Sequence, residues 1–250
     1  MKPKVIVACP IFERAWILPR WLDALEAQKA DVDLSLFFCV TPGKDKTQDL
    51  IAEAKASGQF EIDAQAFIGG GPEDHSRDWT DAARVGVIAS KRNKLLDAVK
   101  AANAKYDYLL MLDSDVIVPP GGIAKLIETA KFEKFDAVCP KVWVWSAFFV
   151  AMKYTSGRLA FFHRRERGIH PVDVVTSSAC LMVERLASDG AVRYGVAERG
   201  KDFGWAPGHE INGWNASECI FWSKAAKAKN YRLGVNCGIV FDHKMVKEGA

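Results

Sequence analysis

Residues 106–115 read Tyr-Asp-Tyr-Leu-Leu-Met-Leu-Asp-Ser-Asp, an apolar run that ends abruptly in two carboxylates. A short apolar run of this kind, bounded by charge, predicts a buried strand. In an extended chain, residues two apart face the same side. Asp113 and Asp115 are therefore expected to project together from the C-terminal end of that strand. Open α/β sheets bind their ligands outside such ends. Paired carboxylates there suit a hard divalent cation, Mg²⁺ or Mn²⁺, that keeps open positions for phosphate oxygens. The plainer account is an Asp-rich turn with solvated carboxylates.

Upstream, strand and helix patterns alternate. Residues 5–9 (Val-Ile-Val-Ala-Cys) predict a first buried strand closed by Pro10. Residues 14–29 carry Ile17, Leu18, Trp21, Leu22 and Leu25 on one helical face. Residues 34–40 and 62–68 predict two more strands, the first closed by Thr41-Pro42-Gly43 and the second by Gly69-Gly70-Gly71-Pro72. Helices are expected over 47–56 and 85–102, with a polar loop over 74–81. This alternation indicates an α/β domain with a mostly parallel sheet and helices on both faces. Downstream the expected elements are a helix over 123–132, a strand from 137, a helix over 217–229, a strand over 232–235 and a short run over 238–242. Residues 142–183 show no clear period, and 195–215 read as one long loop. No repeat or linker interrupts the chain, so residues 1–250 are expected to form one domain.

Composition narrows the function. Apolar residues make up 49%, enough for a filled core, and 34 basic against 31 acidic residues leave a net charge of +3. That balance excludes an acidic tail and a strongly basic DNA-coating protein. The six cysteines lack any CxxC spacing, which argues against a zinc ribbon or redox motif and favours reduced thiols. The apolar run 142–152 is too short for a bilayer, which needs about 20 residues. With no secretory pattern at the start, a cytoplasmic location is expected. Gly69-Gly70-Gly71 lacks dinucleotide spacing, Gly43-Lys44 is no phosphate loop, and His209-Glu210 lacks the second histidine of a zinc-protease helix.

Four stretches taken in order resemble a GT-A glycosyltransferase of the kind grouped as family 2. Residues 5–13 (Val-Ile-Val-Ala-Cys-Pro-Ile-Phe-Glu) resemble its opening strand and base-contacting loop. Lys91-Arg92-Asn93-Lys94-Leu95 resembles its Ala-Arg-Asn-x-Gly-Leu segment, and Asp113-Ser114-Asp115 its DxD motif. Residues 217–225 (Ser-Glu-Cys-Ile-Phe-Trp-Ser-Lys-Ala) resemble the helix start bearing its catalytic base.

The resemblance implies a metal-dependent, inverting transfer of a sugar from a nucleotide-sugar donor to a hydroxyl. Residues 1–118 would hold the donor and 119–250 the acceptor. Asp115 and His243 would hold Mn²⁺ or Mg²⁺. Asp113 would reach the ribose, or the metal through water. Pro10, Ile11 and Glu13 would meet the base and ribose, Arg92 the base or phosphates, and Glu218 would deprotonate the acceptor. Two departures stand out. Asp45 is a weak substitute for the family's Asp-Asp-x-Ser after the second strand, and the base would be Glu where Asp is more usual.

Each assignment has a plainer account. Glu218 could be a first-turn acid capped by Ser217, His243 a surface histidine, Glu13 an early helix acid and Arg92 a solvated helix arginine. Glu210, in the long loop before Glu218, could also touch the acceptor. Trp143, Trp145, Phe148 and Phe149 followed by His163, Arg164, Arg165 and Arg167 could stack on sugars or bases and pair phosphate. The acceptor could then be a glycan, a lipid-linked sugar, or DNA carrying a hydroxylated base. The rivals are a nucleotidyltransferase, disfavoured because residues 10–14 (Pro-Ile-Phe-Glu-Arg) lack a glycine-rich loop, and a non-catalytic DNA- or glycan-binding module.

Overall fold

Strand β1 (Lys4–Ile11) is buried along nearly its whole length, so both of its faces must be covered. In the computed structural model they are. The structure describes residues 1–67, 82–143, 148–155, 158–163, 165–198 and 216–244. After β1 come α1 (Leu18–Glu26) with a 3₁₀ turn (Ala27–Ala30), β2 (Asp33–Val40), α2 (Thr47–Ala56) and β3 (Glu61–Ala66). Then follow α3 (Ala82–Ala101), β4 (Tyr108–Leu112), β5 (Val116–Ile117), α4 (Gly122–Glu133) and β6 (Ala137–Trp143). The remaining elements are β7 (Phe148–Thr155), β8 (Arg158–His163), β9 (Ile169–Pro171), β10 (Ala179–Val183), α5 (Glu184–Ala187), β11 (Ala197–Glu198), β12 (Ala216–Ser217), α6 (Glu218–Ala228) and β13 (Leu233–His243).

The main sheet runs β3-β2-β1-β4-β10-β6-β13-β5, with β9 also paired to β13. β1, β2, β3 and β4 are parallel, as are β6 and β13. β10 lies antiparallel between β4 and β6. Alternation along β1 sorts the core into two layers. Val5, Val7, Cys9 and Ile11 pack with Trp21, Leu25 and Ile123 on one face. Ile6 and Ala8 pack with Leu95, Val99, Trp222 and Ala226 on the other. Helices α1 and α4 thus cover one side, α3 and α6 the second.

Three expectations change. The first helix begins at Leu18, because the amides of Ile17 and Leu18 both donate to the Arg14 carbonyl and residues 14–17 form a turn. The aperiodic stretch after 142 contains the hairpin β7–β8 and strand β10. The two late runs are one strand, β13, with a register shift between Asn236 and Val240. A bulge disturbs strand alternation, which is why the pattern reads as two pieces. The six cysteines are buried and unpaired. The glycine-rich turn, the loop 74–81, Trp145, Arg164, His209 and Glu210 lie outside the described residues.

Candidate active site

The two carboxylates have different partners. β4 stops at Leu112, and the Val116 amide donates back to the Asp113 carbonyl at 3.1 Å, which closes a turn. The backbone therefore leaves the extended form just where period-two alternation was assumed. Asp113 turns toward α3: its Oδ1 accepts from Arg92 Nη2 at 2.8 Å. Asp115 turns toward the loop after β1 and the end of β13. Its Oδ2 accepts from Arg14 Nη2 and its Oδ1 meets His243 Nε2, each at 3.1 Å.

Sheet pairing brings His243 there. β13 ends antiparallel to β5 with His243 opposite Val116, and the Lys244 amide donates to the Asp115 carbonyl at 2.8 Å. Burial alone would raise the Asp115 pKa. The His243 hydrogen bond, its charge and that of Arg14 outweigh this and hold the carboxyl below its ordinary value. Burial likewise opposes the charged form of His243, but the hydrogen bond and charge of Asp115, with Asp113 behind it, raise its pKa.

Arg92 is the centre of the second cluster. It is only 2% exposed, on the buried face of α3. Nη1 donates to the Ser177 carbonyl at 2.9 Å, Nη2 to Asp113, and Nε lies 3.7 Å from Glu218 Oε1. The guanidinium also stands 5.8 Å from the Tyr194 ring centroid. Burial disfavours its charge, but Asp113 and then Glu218 more than restore it. A guanidinium this deep keeps its charge because two of its nitrogens donate to Asp113 and the Ser177 carbonyl and Glu218 lies at ion-pair distance, although Nε has no hydrogen-bond partner among the described residues. Arg92 was expected to face the base or phosphates; here its side chain joins the DxD carboxylate to the candidate base.

Glu218 opens α6 behind the N-cap Ser217, whose Oγ accepts from the Ile220 amide. Its side chain is 14% exposed and its Oε1 accepts from Cys219 Sγ at 3.4 Å. Glu218 is a first-turn acid, and it lies in the same cluster as Asp113.

The residues expected around the nucleotide are partly spent on the scaffold. Ile11 is 1% exposed, so its side chain belongs to the core, while Pro10 is half-buried at the end of β1. Glu13 adopts φ 47°, a left-handed backbone that glutamate rarely takes. Its Oε1 accepts from the Lys44 amide at 3.0 Å, and a side chain at Gly43 would bring a Cβ within 2.6 Å of Glu13 Cγ. Asp45 accepts from the amides of Ala15 and Thr47 at 2.9 and 3.0 Å. Slight burial raises its pKa, but the Thr47 side chain, those amide bonds and the Arg14 charge outweigh it and lower it. Together Glu13 and Asp45 lock the loop after β1 to the loop after β2.

Sequence reasoning missed Arg14 as a partner of Asp115, Ser177 as the carbonyl under Arg92, and Trp21, whose indole donates to the Asp113 carbonyl at 3.1 Å. It also missed Lys91, 1% exposed beside Phe12 and Phe67, 5.9 and 5.6 Å from their ring centroids. A basic residue at an otherwise apolar helix position was the available signal for Lys91. Ser177 carried none.

A family model described as Glycosyl transferase family 2 matches residues 66–189, close to half of the chain. The match takes in Arg92, Asp113 and Asp115 but stops before Glu218 and His243. The structure is similar to that of S. aureus TarS 1-349 in complex with UDP-GlcNAc, at TM-score 0.59 and 13% identity over 100% of this chain.

The chain has the GT-A fold and is family 2-like.

A second likeness of this GT-A chain, to TarS 1-349 in complex with UDP, has TM-score 0.58 and 15% identity over 97% of it. The chain spans about three-fifths of the length of these solved proteins, 61% and 60%. No curated protein sequence matches it. Among its described residues no helix is long and apolar enough to cross a membrane, and no group of three or more His, Cys, Asp or Glu gathers as a metal site.

Proposed function

We propose that this GT-A chain transfers a sugar from a nucleotide-sugar donor to a hydroxyl acceptor, by direct displacement and with a divalent cation. The observation that carries the reading is the Arg92 cluster, in which one buried arginine ties Asp113 at the end of β4 to Glu218 at the start of α6.

The donor set fits a cation. Asp115 Oδ1 and His243 Nε2 face each other at 3.1 Å, and His243 Nδ1 is buried with no partner among the described residues. Two protein ligands are few, but Mg²⁺ and Mn²⁺ sites that act on phosphates commonly take the rest from water and substrate oxygens. Asp113, held by Arg92, would serve the ribose or reach the cation through water. When bound, the cation would neutralise charge growing on the departing diphosphate.

The chain's own groups do the rest. Glu218 Oε1 is engaged by Arg92 and Cys219, so Oε2 is the oxygen that would take the acceptor proton. As that proton leaves, the acceptor oxygen bonds to the anomeric carbon and the diphosphate departs with the bonding pair. Inversion follows if base and leaving group lie on opposite faces of the sugar. Pro10 and the locked loop of Glu13 and Asp45 would border the nucleotide. Residues 1–118 would supply the donor side and 119–250 the acceptor side. Arg165 and Arg167, both exposed, keep a phosphate-bearing acceptor such as DNA in view beside a glycan.

A thermal-shift screen of UDP, UDP-GlcNAc and other nucleotide sugars, with and without Mn²⁺, tests the donor side. Stabilisation by a nucleotide diphosphate that requires Mn²⁺ is expected, and no response to any nucleotide would overturn the reading.

A further inference from the structure

The Asp115 carboxylate already has a partner on each oxygen: His243 on Oδ1 and Arg14 on Oδ2. The two differ in how they are held. His243 sits at the end of a strand inside the sheet, paired to β5. Arg14 sits on a loop whose backbone is pinned independently of its side chain. The Arg14 amide donates to Thr47 Oγ1 at 2.7 Å, and the Ala15 amide donates to Asp45 at 2.9 Å. Beyond Asp115, the guanidinium makes two longer contacts among the described residues, both from Nη1, to the Phe12 and Glu13 carbonyls at 3.2 and 3.4 Å. Its Nε is buried with no hydrogen-bond partner among the described residues. The side chain can therefore turn about its own bonds while the loop stays in place.

We propose that Arg14 is an internal counter-ion for Asp115 that gives up this carboxylate to the divalent cation and takes the donor's diphosphate in exchange. The proposal rests on the reading of Asp115 and His243 as cation ligands. Its chemistry is direct. A guanidinium fork fits a carboxylate and a diphosphate equally well. With Asp113 matched by Arg92 and Asp115 matched by Arg14, these residues offer a lone cation little net charge. A diphosphate changes this, because it gives Arg14 a second anion at the moment Asp115 is needed. Cation and nucleotide then bind better together than either does alone, and Arg14 supplies part of that coupling.

The sign of the effect separates this role from a structural one. Mn²⁺ binding is measured on the full chain by electron paramagnetic resonance of the free ion, without nucleotide, for wild type, Arg14→Gln and Arg14→Lys. Arg14→Gln is expected to bind Mn²⁺ alone more tightly, by roughly fivefold, the scale of one partly exposed ion pair. Arg14→Lys, which keeps the charge, stays near wild type. In calorimetry at saturating Mn²⁺, Arg14→Gln is expected to bind UDP roughly tenfold more weakly, the scale of one charge-assisted hydrogen bond. Equal or weaker Mn²⁺ binding by Arg14→Gln, or unchanged UDP affinity, overturns the proposal. Asp115→Asn separates the two readings. If Mn²⁺ binding persists in that variant, or no variant binds Mn²⁺ with or without UDP, the cation reading falls and Arg14 with it. If Asp115→Asn abolishes binding while Arg14→Gln changes nothing, only the role of Arg14 falls.

Discussion

Replacing Arg92 by methionine removes a charge that two carboxylates depend on. The arginine side chain is 3% exposed, Asp113 22% and Glu218 14%. Methionine fills much of the same volume, so cavity formation is a minor part of the cost. The larger part is electrostatic: Asp113 and Glu218 would remain, mostly buried, without their counter-ion, and the Ser177 carbonyl would lose its donor. Breaking a buried pair by deleting one partner costs about 3–5 kcal/mol. For a chain of this size each kcal/mol moves the melting midpoint by about 2–4 °C, so a fall of roughly 12 °C is expected. Urea titration at neutral pH with linear extrapolation gives the free energy, and a circular-dichroism melt gives the midpoint. A triple variant, Arg92→Met with Asp113→Asn and Glu218→Gln, discharges the orphaned carboxylates and should recover more than half of the loss. A cost below about 1 kcal/mol for Arg92→Met, or no recovery in the triple variant, would refute the view that one guanidinium holds the two acids together.

Burial lowers the Lys91 pKa from 10.5 to about 8. The unfolded chain then holds more protons than the folded one between those values, so stability rises with pH across that window. Wild type should gain on Lys91→Met by about 3 kcal/mol between pH 8 and 10.5, and a flat difference in urea titrations at the two pH values would count against it. Gly234→Ala places a Cβ 2.2 Å from the Phe135 ring. It should destabilise the chain by about 1–3 kcal/mol, with Phe135→Leu in the same chain restoring part of it, both read by urea midpoint. Glu218→Gln should abolish transfer while leaving Mn²⁺-dependent UDP binding in calorimetry within about twofold of wild type; retained turnover would move the base elsewhere.

How much could be read beforehand depended on what each inference used. Buried parallel strands need only a local apolar run, so β1, β2 and β4 were legible within a few residues, and α2 matched its expected bounds. Asp113 and Asp115 were legible as site residues, but their geometry was not. The reading assumed extended backbone where a hydrogen bond from Val116 makes a turn. Arg92 looked like part of a solvated basic run because its helix neighbours are basic. Only the tertiary approach of Ser177 and Glu218, 85 residues and more away in the chain, explains its burial. The pairing of His243 with Asp115 needed the register of β13 on β5, which no local pattern encodes.

The place of β13 has a consequence for how the chain is made. It is the last described strand, yet it lies inside the sheet, flanked by β6 and β5 and touched by β9. Until residue 243 has left the ribosome, β6 has an open hydrogen-bonding edge with Val138, Cys139 and Val142 beside it. A nascent protein stalled before that point would therefore carry a sticky, unsatisfied ribbon, of the type that chaperones hold and that recruits other chains when they do not.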